Sequence, residues 1–150
     1  MWNMRSEDRL REWKEFRHQI DKLPFERAVI QTTHLWSYAP FVNHYLDKIP
    51  PNDWPGPWDL LNENRYDDTA KALGMLYTLV LSEHGKNHEF AFVKAQASSG
   101  LESYNLVYID KGKYILNFTF DEVISKQQLE KEAPAVCIMF ETNLPISQYQ

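Results

Sequence analysis

Apolar residues recur every three or four positions through the first half of the chain and every two in much of the second, so helices are expected first and strands afterwards. Leu10, Trp13, Phe16 and Ile20 mark an amphipathic helix over residues 4–22, with charges on its other faces. Pro24 suits the opening turn of a second helix running to about Tyr38, with Ala28, Ile30, Leu35 and Trp36 available to a core. Ala39 and Pro40 end it, and Phe41 to Leu46 is read as one further turn. Pro50, Pro51, Pro55 and Pro57 then forbid a long helix or an inner strand. The stretch is expected to be a rigid, ordered loop, because Trp54 and Trp58 are costly to leave in water. Leu60 and Leu61 make a short helical turn, interrupted at Asn62–Asn64. Asp67 and Asp68 stand where acids favour a helix start, and Ala70, Leu73, Leu76, Tyr77, Val80 and Leu81 give residues 67–82 a wide apolar face. This is the expected central, most buried helix.

The second half reads as strands at Glu89–Ala95, Tyr104–Ile109 and Tyr114–Phe120, with a hairpin turn at Asp110–Lys113. Asp121 is placed to cap a helix through about Leu129, and Ala135–Phe140 is the last strand, carrying Cys137. The reading is a single α+β domain over residues 1–143, its amino-terminal helices packed on an antiparallel sheet. Residues 144–150 form an aperiodic tail, read as an arm that orders against a partner. A chain of 150 residues buries roughly 70% of its extended surface and needs no disulfide to fold.

Charge narrows the partners. The net charge is −5, and the basic residues near the amino end (Arg5, Arg9, Arg11, Lys14, Arg17) alternate with Glu7, Asp8, Glu12 and Glu15. They neutralise one another instead of forming the cationic stripe that nucleic-acid binding requires. No apolar run approaches the roughly 20 residues of a membrane helix, and charges throughout residues 1–20 argue against a signal peptide. A single cysteine excludes an intrachain disulfide and fits assembly in a reducing cytoplasm.

Candidate chemistry is sparse. Asp67 and Asp68 have the residue type for acid/base work or metal binding, but successive helix residues point about 100° apart, and no third ligand has suitable spacing. A first-turn interaction with the helix dipole, with Arg65 as partner, is the favoured reading. His84 and His88 are four apart, with Gly85 breaking a shared helical face. His34 and His44 flank an aromatic, proline-broken segment without further ligands, and His18 is isolated. No metal or cofactor is expected, and Cys137 reads as a small buried hydrophobe. The tryptophans exceed what a core this size easily absorbs, so Trp13, Trp36, Trp54 and Trp58 are candidate partner-binding anchors.

Three stretches carry a resemblance: Trp54–Leu61, then Tyr66–Ala70 leading into Leu73–Thr78, and Tyr104–Tyr108 with Gly112–Asn117. Over residues 50–120 the chain resembles the transglutaminase-like cysteine peptidase fold, particularly the small versions encoded by tailed bacteriophages. In that family a Cys opens the central helix, a His starts the next strand, and an Asp or Asn follows on its hairpin partner. The resemblance puts the Cys position at Tyr66 or Asp67, the His position at Tyr104 or Asn105, and the third at Asn117. Neither tyrosine nor aspartate replaces a thiolate at neutral pH. The resemblance therefore implies an inactive scaffold whose Tyr66, Tyr104 and Asn117 hydrogen-bond one another across a filled cleft. The expected function is a non-enzymatic protein-binding domain, a virion component of the tail or neck region assembled in the host cytoplasm, contacting other virion or host proteins. Two alternatives stay open: a hydrolase pairing Asp67 or Asp68 with His34, His44 or His88, and an intracellular phage factor that binds a host protein.

Overall fold

Asp68–Val80 forms the helix at the centre of the structure, α4, and is buried from Thr69 to Val80 apart from the half-buried Lys71. The computed structural model describes residues 1–97 and 99–133 with their side chains and residues 136–142 as backbone. Asp67 is the N-cap of α4, its Oδ1 accepting the Ala70 N–H at 2.9 Å. Against α4 lie α1 (Ser6–Asp21) and α2 (Phe25–Ser37). The approach of α2 is close: a Cβ on Gly74 would lie 2.4 Å from the Trp36 ring, so the crossing requires glycine there.

One hydroxyl joins these helices. The indole N–H groups of Trp13 and Trp36 donate to Thr78 Oγ1 at 2.9 and 2.8 Å, and that hydroxyl donates to the Gly74 carbonyl at 2.7 Å. Trp13 and Trp36 are fully buried, which corrects their reading as partner anchors. Their polar edges are satisfied internally, so burial costs them no hydrogen bond.

Pro57–Glu63 forms α3, with Pro57 in its first turn and Asn64 at φ 53° ending it. The helix is longer than the expected short turn. Arg9 of α1 is buried and donates to the carbonyls of Leu61 and Asn62 at 2.7 and 3.2 Å. It thereby satisfies oxygens that the helix end leaves unpaired. Upstream, the turn expected at Phe41–Leu46 is absent. Phe41 forms a parallel bridge with Tyr66, and the helical turn comes later, at Leu46–Lys48. The proline loop is ordered as expected: Trp54 donates to the Ile49 carbonyl at 2.9 Å and packs edge-on against Phe92.

The sheet comprises β1 (Phe90–Ala97), β2 (Ser103–Ile109), β3 (Tyr114–Leu116), β4 (Val123–Ile124) and β5 (Val136–Thr142). All pairings are antiparallel, and the order is β4-β3-β2-β1-β5. Phe90, Phe92, Val107, Ile109 and Leu116 join the core around α4, whereas Ala91, Val93, Ala95, Leu106, Tyr108 and Ile115 build a second core on the opposite face. Leu129 of the short helix α5 (Lys126–Glu132) belongs to that second core. Two expectations are corrected here. β3 ends at Leu116, because Asn117 turns the chain at φ 69°. Asp121, at φ 55°, caps nothing. Ser125 caps α5 in a capping box with Gln128.

Cys137 pairs with Gln96 in the edge strand β5, while residues 143–150, and with them the expected tail, lie outside the described residues.

Candidate functional site

At the amino end of α4 the chain brings three polar side chains together. Asp68 is the first residue of the helix, and Asn105 lies on the α4-facing side of β2, in the alternation that also places Val107 and Ile109 there. Asn117 follows β3 in the left-handed region, which asparagine tolerates better than most residues. Asn105 Nδ2 donates to Asp68 Oδ2 at 2.9 Å. Asn117 Nδ2 lies 3.1 Å from Asp68 Oδ1 and 2.9 Å from the Asn105 backbone oxygen. A carboxylate is thus clamped by two amides at the junction of helix and sheet.

Two expected site residues lie elsewhere. Tyr66 is fully buried, its ring edge-on to those of Trp2 and Trp36, and its hydroxyl has no partner among the described residues. Burial pushes its pKa up. Tyr104 points to the other face of the sheet, packs against Phe118 and donates its hydroxyl to Glu102. The expected Tyr66–Tyr104–Asn117 network is therefore replaced by Asp68–Asn105–Asn117, and Tyr104→Phe touches no site group.

Asp67 has a different task from its neighbour. Besides capping α4, its Oδ2 accepts the backbone N–H groups of Tyr45 and Asp47 at 3.0 and 2.9 Å, fastening the preceding loop to the helix start. Arg65 pairs with neither aspartate. It lies beside Glu63 and over the Tyr45 ring.

Beside the clamp is a cleft of about 160 Å³, lined by Asp68, Lys71, Asn117, Phe41, Phe118 and Phe120. Lys71 donates to the Ser37 carbonyl at 3.0 Å and lies over Phe41. Burial lowers its pKa, against the pull of Asp68. The Asp68 pKa moves the other way: burial raises it, and the two asparagine amides oppose the rise. Because Asp68 as a residue is open to water in the cleft, the energetic consequence is damped.

The sign of that shift makes a prediction. A carboxyl group whose pKa is higher folded than unfolded favours the native state below its unfolded value, near 3.9, and loses that contribution as pH rises through the folded value. The stability of the parent relative to Asp68→Asn should fall between about pH 3 and about pH 7. Urea midpoints for both proteins across that range test this, and a constant difference would show an unperturbed carboxylate.

None of the histidines considered as acid/base partners contacts Asp67 or Asp68. His34 pairs with Asp121 at 2.9 Å, His44 with Asp47 at 2.6 Å, and His88 with Asp110 at 2.7 Å. Sequence reasoning did not place Phe41 and Phe120 on the cleft, nor Tyr38 edge-on beside Phe120; they are 60, 62 and 57% exposed. Each stands at the end of an expected element, Tyr38 closing the second helix, Phe41 opening a turn and Phe120 closing a strand, and that position is the one available sign of exposure. Of the tryptophans proposed as anchors, Trp58 is 46% exposed, its ring edge-on to Trp13 and near the Arg17 guanidinium; Trp54 is half-buried.

No protein-family model matches this sequence, and no curated protein matches it. Solved structures do. Calcium-bound LapG of Legionella pneumophila superposes with a TM-score of 0.71 and 10% identity, over 95% of this chain and 78% of that one. LapG of the same organism gives 0.70 at 11% identity over 93% and 76%, and its EGTA-treated form 0.69 at 11% over 95% and 79%. At such identities the likeness is one of fold. The calcium belongs to LapG; among the described residues here, no group of three or more His, Cys, Asp or Glu is placed to hold a metal, and no helix is long and apolar enough to cross a membrane. These neighbours are bacterial, so they support the transglutaminase-like part of the resemblance and lend nothing to its phage part. The chain folds as a transglutaminase-like domain similar in architecture to LapG, with an amide-clamped carboxylate, Asp68, at the start of its central helix.

Proposed function

We propose that this chain is a non-catalytic, protein-binding domain on a transglutaminase-like scaffold, with the cleft beside α4 as its contact surface. The observation that carries the reading is the identity of the clamped groups. The resemblance puts the thiol position at Tyr66 or Asp67 and the imidazole at Tyr104 or Asn105, whereas the group that meets Asn105 and Asn117 at the start of α4 is Asp68, one residue on, and the three together supply neither thiol nor imidazole. A carboxylate is a poor nucleophile toward amides, and a carboxamide has no basic nitrogen with which to activate one. Tyr38, Phe41 and Phe120 support the binding half of the proposal, because exposed aromatics around a cleft are typical interface anchors.

A second reading has an observation of its own. Asp68 and Lys71 line one cleft with pKa values displaced toward each other, the pattern expected of an acid/base pair. Hydrolysis of peptide substrates separates the two. Under the binding reading, turnover stays at buffer background in both parent and Asp68→Asn. Turnover that disappears in Asp68→Asn yet survives in Tyr104→Phe would establish an enzyme.

The binding surface is tested by placing a photo-cross-linking residue at Phe120 or, as control, at Glu12 on the outer face of α1. Capture of the same protein from native lysate at Phe120 and not at Glu12 supports the cleft; equal capture removes it. Copurification with phage particles at constant copy number would extend the reading to a virion component. Absence from particles would end that placement.

A further inference from the structure

At the far end of α4 from Asp68, the chain passes through the turn Glu83–Lys86 and presents His88 to the β2–β3 connection. Nδ1 of His88 lies 2.7 Å from Asp110 Oδ2, while Asp110 Oδ1 accepts the Glu89 N–H at 3.0 Å. The imidazole also lies flat on Phe25, with ring centroids 3.6 Å apart and planes at 10°. A carboxylate on one edge and a ring on one face hold the imidazole in one orientation. Burial pushes the Asp110 carboxyl up, but the Glu89 N–H and His88 outweigh it, so the group stays below the ordinary carboxylate range. An ionised Asp110 keeps the proton on Nδ1. Nε2 has no hydrogen-bond partner and is not among the buried unpartnered atoms, which leaves it accessible.

His88 lines an open concavity of about 480 Å³ with Lys86, Asn87, Glu89, Asp110 and Lys111. Asp110, Lys111 and Gly112 follow one another at φ 53°, 61° and 99°. Glycine holds this region without steric cost, whereas lysine is strained in it. Lys111 is thus a costly choice for the turn alone, and what it adds is an ammonium group. Among the described residues Lys111 has no ion-pair partner, whereas Lys86 is paired with Glu83.

We propose that this concavity is a site for a small phosphate-type oxyanion, inorganic phosphate or a small-molecule phosphate monoester, held by Nε2–H of protonated His88 and by Lys111. The charged groups around the imidazole are Lys111, Lys86 with its partner Glu83, Glu89, and Asp110, which Lys113 also reaches; Phe25 brings no charge, and its ring also meets the titratable His84. A proton on His88 adds a positive charge beside Lys111, so anion and proton favour one another's binding. The site lies at the opposite end of α4 from the cleft and stands or falls independently of the function proposed above.

The test is a titration of the isotopically labelled full chain with inorganic phosphate at constant ionic strength, read from the His88 ring nitrogens. A saturable shift is expected, tighter at about pH 6 than at about pH 8, with methyl phosphate moving the same resonances. Lys111→Gly, which relaxes the turn and so preserves the fold, should weaken phosphate roughly tenfold or more. The proposal fails if chloride produces the same shift, if the affinity does not change with pH, or if Lys111→Gly binds like the parent.

Discussion

Thr78→Val is expected to lose about 3 to 5 kcal/mol of stability and to melt roughly 10 °C lower. The substitution nearly conserves volume, so its effect isolates the hydroxyl. Oγ1 accepts from two indoles on two different helices, at 2.9 and 2.8 Å, while donating to the Gly74 carbonyl of its own helix. Valine leaves both indole N–H groups unpaired in a core where Trp13 and Trp36 are fully buried. An orphaned donor of this kind costs about 1 to 3 kcal/mol. Thr78→Ser keeps the hydroxyl and removes one methyl group, and should cost about 1 kcal/mol. Urea unfolding followed by tryptophan fluorescence distinguishes the two. A valine variant as stable as the serine variant would mean that the indoles find other partners, and that the three helices are joined by apolar contact alone.

The second large effect is a gain. Asp68→Cys combined with Asn105→His should install a reactive thiol at the start of α4. Helix amino-termini lower thiol pKa values, and a neighbouring imidazole lowers them further. Asn105 Nδ2 already reaches the position 68 carboxylate at 2.9 Å, so a side chain there is within reach of a sulfur. Asn117 Nδ2 lies 2.9 Å from the position 105 backbone and is retained. At about pH 6 the introduced thiol should be alkylated roughly tenfold faster than an unperturbed one. Mass mapping separates its labelling from that of Cys137, the single native cysteine. A rate that rises only as pH approaches about 8.5, the ordinary thiol value, would show that the clamp does not occupy an activating position. The reading of the site as an emptied catalytic centre would then lose its basis.

α1, α2 and α4 were legible from their apolar spacing, and β2 and β3 from the Asp, Lys and Gly of the turn between them, whereas α3 reads as a single turn and β4 falls inside the helix expected from Asp121. The site was legible only to within one residue. Asp67 and Asp68 have the same side chain, and the sequence does not say which caps. The structure chooses Asp67, whose oxygen reaches the N–H three residues on, and sends Asp68 toward the sheet. The choice between Tyr104 and Asn105 failed for a different reason. β2 is covered on both faces, Leu106 and Tyr108 on one side and Val107 and Ile109 on the other, so the strand offers no polar alternation from which to read its facing. The shared hydroxyl of Thr78 joins residues 65 and 42 positions apart in sequence, a separation no local pattern spans. Ser125 and Gln128 did carry a capping-box signature, and Asp121 was preferred only because aspartate is also a good cap.

The two-sided sheet also bears on how such a domain changes over time. A slip of β2 by one residue would drive the residues of each core into the other, so register is held from both sides. Asp68, Asn105 and Asn117 belong to neither apolar cluster. The side chains of Asp68 and Asn105 can be exchanged for others of similar size without opening a cavity, while Asn117 is also held to its type by its left-handed backbone. Substitutions at Asp68 and Asn105 therefore change the chemistry of this junction with little effect on the two cores that hold the architecture.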